Sequence, residues 1–166
     1  MAKFVHQRHK SPTPLAKPRE LVVACPPMRS SVNLSRIVRV AGCCGVERVV
    51  ACSNIKPDPK IARDALAQVT IDFRRTLPPI LKTLKSEGYR LVGLEQADNS
   101  QNLHRFSFPR RCVLVIGHER QGLADELLEL MDDVVEIPVY GMPFSYNAAT
   151  AAAMAMYEYC RQYPEG

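Results

Sequence analysis

The amino-acid sequence predicts an α/β domain, a parallel sheet flanked by helices, and three observations carry that prediction. Short apolar runs stand near residues 21–24, 46–52, 90–95, 112–116 and 134–137. Helical patterns fill the intervals between them, the alternation that parallel strands with crossover helices produce. The chain has 166 residues, 46% hydrophobic and 23% charged, which is enough to bury one core without disulfides or structural metal.

Each helix is expected from local chemistry. The first, near 32–43, has Ser30 and Ser31 available as caps and Gly42 and Gly45 to end it. A second falls near 59–68. A third, near 77–87, must begin at Pro78 and Pro79, because proline suits only the first turn. A fourth lies near 124–131. The last, near 145–162, is rich in alanine and opens at Ser145 and Asn147. Ser145 reads as its cap, whereas capping does not readily explain Asn147 as well. Ala148, Ala149, Ala151, Ala152 and Ala153 suggest close approach of another backbone, and Met154 and Met156 read as core or interface filling.

Composition narrows the class of protein. No apolar run approaches the roughly eighteen residues of a membrane span. The six cysteines form no CxxC pair and mostly sit in apolar runs, as small buried hydrophobes do. These features predict a reduced, cytoplasmic compartment without membrane or metal, and the opening residues do not form a secretory signal pattern. The net charge of +5 is concentrated in residues 1–20, where Lys3, Arg8, Lys10, Lys17 and Arg19 face only Glu20. With three prolines and few large apolar residues, that segment is expected to be a basic, flexible tail, and residues 21–166 the folded domain. The tail reads either as a solvated segment or as an arm that contacts phosphates.

Three segments carry chemistry. In Val113 to Leu123 a buried strand stops at a turn, Gly117-His118-Glu119-Arg120-Gln121-Gly122, that opens a helix. Ligands of open α/β sheets sit beyond the carboxyl ends of strands, and glycines let backbone approach them. Alone, that turn is compatible with plain architecture, and His118 reads as an exposed turn histidine. In the second segment, Ile137-Pro138 leads through a glycine-containing loop to Ser145-Tyr146-Asn147. The third places Asn33, Arg36 and Arg39 on the first helix, the two arginines on one face. Arginine suits bidentate contact with phosphate or a growing oxyanion, although a solvated basic face is the bland alternative.

Taken in order, these segments resemble the three motifs of the SpoU or TrmH family of the SPOUT superfamily, the ribose 2′-O-methyltransferases of tRNA and rRNA. The resemblance spans about residues 21–162. Ser30 and Ser31 stand where that family usually has Asp-Pro, and Tyr146 where it usually has leucine. The resemblance implies a C-terminal deep trefoil knot that builds a pocket for S-adenosylmethionine. Backbone groups near Leu94, Gly117, Ile137 and Tyr146 would surround the cofactor. Arg39 would stabilise charge on the ribose oxygen and position phosphate, with direct proton acceptance left open, and Asn33, Glu119, Ser145 and Asn147 would orient the reactants. It also implies an RNA substrate and a homodimer with each site at the subunit interface. A knotted RNA-binding protein without transfer activity stays open as the alternative. A Rossmann-type nucleotide enzyme is disfavoured, since no GxGxxG follows Val22-Val23-Ala24.

Overall fold

The central strands β1 (Leu21–Cys25) and β6 (Cys112–Ile116) are buried at every residue, because helices cover both faces of the sheet. Leu21, Val23 and Cys25 join one apolar cluster with Cys112, Leu114 and Ile116, while Val22, Ala24, Val113 and Val115 join a second on the opposite face. The computed structural model describes residues 3–166. Its other elements are α1 (Ser31–Cys43), β2 (Arg48–Ala51), α2 (Pro59–Ala62) running into a 3₁₀ segment (Arg63–Ala67), β3 (Thr70–Phe73), α3 (Leu77–Ser86), β4 (Arg90–Leu94), β5 (Gln101–Asn102), α4 (Asp125–Leu128), β7 (Asp133–Glu136) and α5 (Ala148–Gln162). All seven strands are parallel, in the order β3-β2-β1-β6-β4-β7-β5. The first cluster packs under α1 and α5, the second under α3 and α4.

The expected elements are present, with four differences that have physical causes. β3 and β5 escape sequence reading because they are edge strands: Thr70 and Phe73 are exposed, and β5 is two polar residues long. The helix expected at 59–68 breaks after one turn at Arg63, whose φ of 53° lies in the left-handed region. The fourth helix is shorter, four residues from Asp125. The last helix starts at Ala148, not at 145.

The first helix ends as its glycines suggest. Gly45, at φ 67°, closes a Schellman turn in which Val46 N–H donates to the Ala41 carbonyl at 2.9 Å and Gly45 N–H to Gly42 at 3.1 Å. Gly42 has another task. A Cβ there would lie 2.6 Å from that of Ala65, so its hydrogen lets the 3₁₀ segment lie against α1.

Within the N-terminal segment, residues 3–14 are exposed and form neither helix nor strand, but the chain then docks. Arg19 is buried and donates from Nε to the Cys44 carbonyl and from Nη1 to the Tyr163 carbonyl, each at 2.6 Å. These are the C-cap residues of α1 and α5, so one guanidinium serves the negative ends of two helix dipoles. We expect Arg19→Ala to leave both carbonyls short of a donor and to destabilise the fold by about 1–3 kcal/mol. Deleting residues 3–14 should cost far less. Urea unfolding of the two variants checks this, and an unchanged midpoint for Arg19→Ala would refute it.

Candidate functional site

Three loops, each following the carboxyl end of a strand, converge beyond β4, β6 and β7. They enclose a cleft of about 340 Å³, within the range of small-molecule sites. Leu94, Gly117, Glu119, Ile137, Ser145 and Tyr146, all singled out from sequence, line it together with the small face of α5 at Ala148 and Ala151. The Met154 and Met156 pair divides: Met156 is buried in the core, and Met154 is on the exposed side.

The Gly117–Gly122 turn is built on itself. His118 N–H donates to the Gly122 carbonyl at 2.9 Å, Gly122 N–H returns the bond at 3.0 Å, and Gly122 adopts φ 66°. Expected to be exposed, His118 is instead partly buried, its Nδ1 accepting from the backbone amides of Arg120 and Gln121 at 3.2 and 3.4 Å. That bonding places the ring proton on Nε2. Beneath the turn lies Glu95, which sequence reading missed. Its Oε2 accepts from Leu123 N–H at 2.7 Å, and Cβ atoms on Gly117 or Gly122 would collide with it. The available signal was an ionisable side chain closing the apolar run Leu91 to Leu94.

Glu119 points the other way, toward α1. Its Oε1 accepts from Asn33 Nδ2 at 3.1 Å and its Oε2 from the Arg29 amide at 3.1 Å. Asn33 Oδ1 in turn accepts from Asn147 Nδ2 at 3.3 Å. Asn147 is also the cap of α5, its Oδ1 accepting from Ala149 and Thr150 amides at 2.9 and 3.3 Å, so capping explains Asn147 and not Ser145. Ser145 is exposed on the loop before it. At the other helix, Ser30 Oγ accepts from Asn33 N–H at 3.4 Å, so the serine that departs from the family's usual Asp-Pro caps α1. Burial pushes the Glu119 carboxyl upward in pKa, but bonds from Arg29, Asn33 and Ser30 outweigh it and hold the group below the usual glutamate value.

Arg39 does not reach this cleft. It is exposed, its Nη1 lying 3.5 Å from the Ile61 carbonyl, and it lines a separate groove of about 900 Å³ between α1, the 3₁₀ segment and α5. The structure thus brings Asn33, Glu119 and Asn147 together, sets Leu94, Gly117, Ile137, Ser145 and Tyr146 around the adjoining cleft, and leaves Arg39 apart. No group of three or more His, Cys, Asp or Glu side chains placed to hold a metal occurs among the described residues.

The depressed value of Glu119 has a stability consequence. A carboxyl whose folded pKa lies below its unfolded one stabilises fully above the unfolded value, and that contribution is lost as pH falls through the folded value. The stability difference between the wild type and Glu119→Gln should therefore hold steady from neutral pH to about pH 5 and shrink below it. Urea titrations across pH test this. A difference unchanged down to about pH 3 would count against it.

The chain matches the SpoU rRNA Methylase family over residues 20–157. It is 28% identical over 146 residues to the tRNA (guanosine(18)-2′-O)-methyltransferase of Escherichia coli, covering 86% of this chain and 64% of that one. The crystal structure of the A. aeolicus TrmH/SpoU tRNA modifying enzyme superposes with a TM-score of 0.83 at 28% identity, covering 89% of this chain and 77% of that one. The SpoU methyltransferase AviRb of Streptomyces viridochromogenes, in complex with the cofactor AdoMet, superposes at 0.75 with 25% identity, covering 92% and 64% respectively. The motifs, the sheet and the family match, which takes in more than half of the chain, agree: the protein belongs to the SpoU methylase family.

Proposed function

We propose that the protein transfers a methyl group from S-adenosylmethionine to a ribose 2′-hydroxyl of a tRNA or rRNA. The observation that carries this is the hydrogen-bonded chain Glu119–Asn33–Asn147, which joins residues of all three motifs at the rim of a nucleoside-sized cleft. The names of the relatives support tRNA as substrate, and the AviRb complex supports the cofactor. The chain spans 64% of the length of its E. coli relative, so this activity is inferred for the residues present.

The cleft fits that cofactor on its own chemistry. Leu94, Ile116, Ile137 and Ala151 offer apolar walls for an adenine, Gly117 and Gly122 expose backbone, and Glu95 and Glu119 put two carboxylates in the lining to balance a sulfonium charge. S-adenosylmethionine supplies a methyl already activated on that sulfonium, so transfer requires in-line approach of the ribose oxygen and little else. Glu119 and Asn33 fix the rim along which the ribose is held. Arg39 balances the negative charge that grows on the oxygen as the hydroxyl proton leaves to solvent, and holds a neighbouring phosphate.

Because Arg39 stands outside its own cleft, we further propose a homodimer in which Arg39 of one copy serves the cleft of the other. Tyr140, Met142 and Phe144, 73–84% exposed on the loop beside the cleft, are apolar surface of the kind such an interface buries. The threading of the C-terminal segment into a knot and a cytoplasmic location belong to the same proposal, as does a tail that ends near residue 14 and not at 20, because Arg19 is buried against the ends of α1 and α5. Among the described residues no helix is long and apolar enough to cross a membrane.

Arg39→Ala should lower single-turnover methyl transfer about a hundredfold at saturating RNA while leaving affinity for S-adenosylhomocysteine nearly unchanged. Arg36→Ala, which removes the same charge one turn earlier, should lose far less. Retained activity in Arg39→Ala would exclude its role. Light scattering on a size-exclusion column should return twice the chain mass, and a strict monomer at tens of micromolar would contradict the shared site. Calorimetry in chelator should still detect S-adenosylhomocysteine. A folded sample that does not bind it at millimolar concentration would overturn the assignment.

A further inference from the structure

Seven of the cations around the sheet are paired. Arg48 and Arg74 bond Asp72, Lys85 bonds Asp132, Arg90 bonds Asp133, Arg110 and Arg111 bond Glu20, and Arg161 bonds Glu158, at distances from 2.7 to 3.9 Å. Arg39, Lys56, Lys60 and Arg63 are not. The same is true of Arg36, Arg75, Lys82 and Arg105, but the first four lie together along α1 and the segment laid on it. Each is exposed, and none has an ion-pair partner among the described residues.

Local structure puts these groups on one face. Ser35 Oγ accepts from the Asp58 amide at 2.7 Å, which lays the 56–63 segment along α1 beside Arg39. The Asp58 carboxylate is occupied in capping α2, its Oδ1 accepting from Lys60 N–H at 2.8 Å, so it faces the backbone and not the Lys60 ammonium. Arg63 lines the same groove as Arg39, together with Asp64 and with Pro12 and Thr13 of the N-terminal segment.

The backbone at Arg63 adds a second observation. With φ 53° and ψ −139° it occupies a region that glycine adopts freely and an L side chain rarely does. For the turn from α2 into the 3₁₀ segment, glycine would serve with less strain. A guanidinium is held there instead, facing solvent with no carboxylate to neutralise it. Unpaired cations along one face repel one another, and a polyanion that binds them relieves the repulsion while releasing its own counterions to solvent.

We propose that the face formed by Lys56, Lys60 and Arg63, continuous with Arg39 and flanked by the N-terminal segment, is a track for the phosphodiester backbone of RNA. This rests on the RNA substrate proposed above and extends it, since it identifies where the nucleic acid lies outside the cleft. The groups bound are phosphates, so the track fixes register along the strand and carries no base specificity.

The test uses the full chain and a transcribed tRNA, with filter binding measured across a range of KCl concentrations. Lys60→Gln combined with Arg63→Gly should weaken binding about tenfold at moderate salt and lower the log–log salt slope by roughly 0.7–0.9 for each phosphate no longer neutralised. Arg63→Gly alone should melt at or above the wild-type temperature, which separates the removal of charge from a failure to fold. Lys82→Gln, on α3 in the opposite layer, should leave the slope unchanged. The proposal is overturned if the double variant keeps the wild-type slope, or if Lys82→Gln lowers it equally. Methyl transfer by wild-type protein with an unaltered slope in the double variant would sink the track alone. A lowered slope in the double variant of a protein whose wild type transfers no methyl would sink the activity and leave the track standing.

Discussion

A single carboxylate, Glu119, holds together segments far apart in the chain. As a carboxylate it can only accept hydrogen bonds, and this property sets the direction of every bond beyond it. Asn33 must present Nδ2 to it, which leaves Asn33 Oδ1 free to accept. Asn147 must then donate its Nδ2 to Asn33, and its own Oδ1 turns to cap α5. The orientation of two amides and the entry angle of the last helix follow from one charge. Protonating Glu119 would set an O–H donor against the donors Arg29 N–H and Asn33 Nδ2, so the bonds that depress its pKa also preserve the order of the network.

The same hydrogen bonds explain why the family's loops tolerate substitution here. Where Asp-Pro is usual, Ser30 satisfies the Asn33 amide, so α1 begins at the right residue and Asn33 still faces Glu119. Tyr146, in place of leucine, is 40% exposed and lines the cleft without entering the hydrogen-bonded chain. Glu95 is the complementary fixture. It fastens the far side of the glycine turn to β4 through Leu123, so the turn is held from below by one carboxylate and from the side by another. Removing either would free a different half of it.

Much of this was legible in the residues, and the gaps have a common origin. Central strands announce themselves because both faces are buried, as in Val113 to Ile116. Edge strands such as β3 do not: Asp72 sits within it, held by Arg48 and Arg74, and its pattern resembles a loop. The break at Arg63 was invisible because arginine is a good helix former and gives no sign of a left-handed backbone. Ser145 and Asn147 are both good caps, and only geometry chose between them. Arg19 looked like one more tail cation, since its partners are carbonyls of residues 25 and 144 positions away. Motif residues whose role rests on type and local turn were readable. Those whose role rests on a distant partner were not.

The distribution of charge separates the two halves of the proposed reaction. The cleft is lined by Glu95 and Glu119, with exposed Arg120 as its basic residue. The face of α1 and α2 carries unpaired cations and uses Asp58 on a backbone amide. Mixing these sets in one cavity would let carboxylates neutralise the cations, as Asp72 and Asp133 do elsewhere on the sheet. Keeping them apart would let the proposed cationic cofactor settle among carboxylates while the proposed RNA is drawn to the basic face. The two bindings then respond differently to salt: counterion release makes the polymer's affinity fall steeply as salt rises, and a small ligand enclosed in a partly buried cleft is screened far less. In the proposed dimer the two surfaces meet where copies join, the cleft rim of one chain at Asn33 facing the basic face of its partner, so one helix can serve two sites with residues six positions apart.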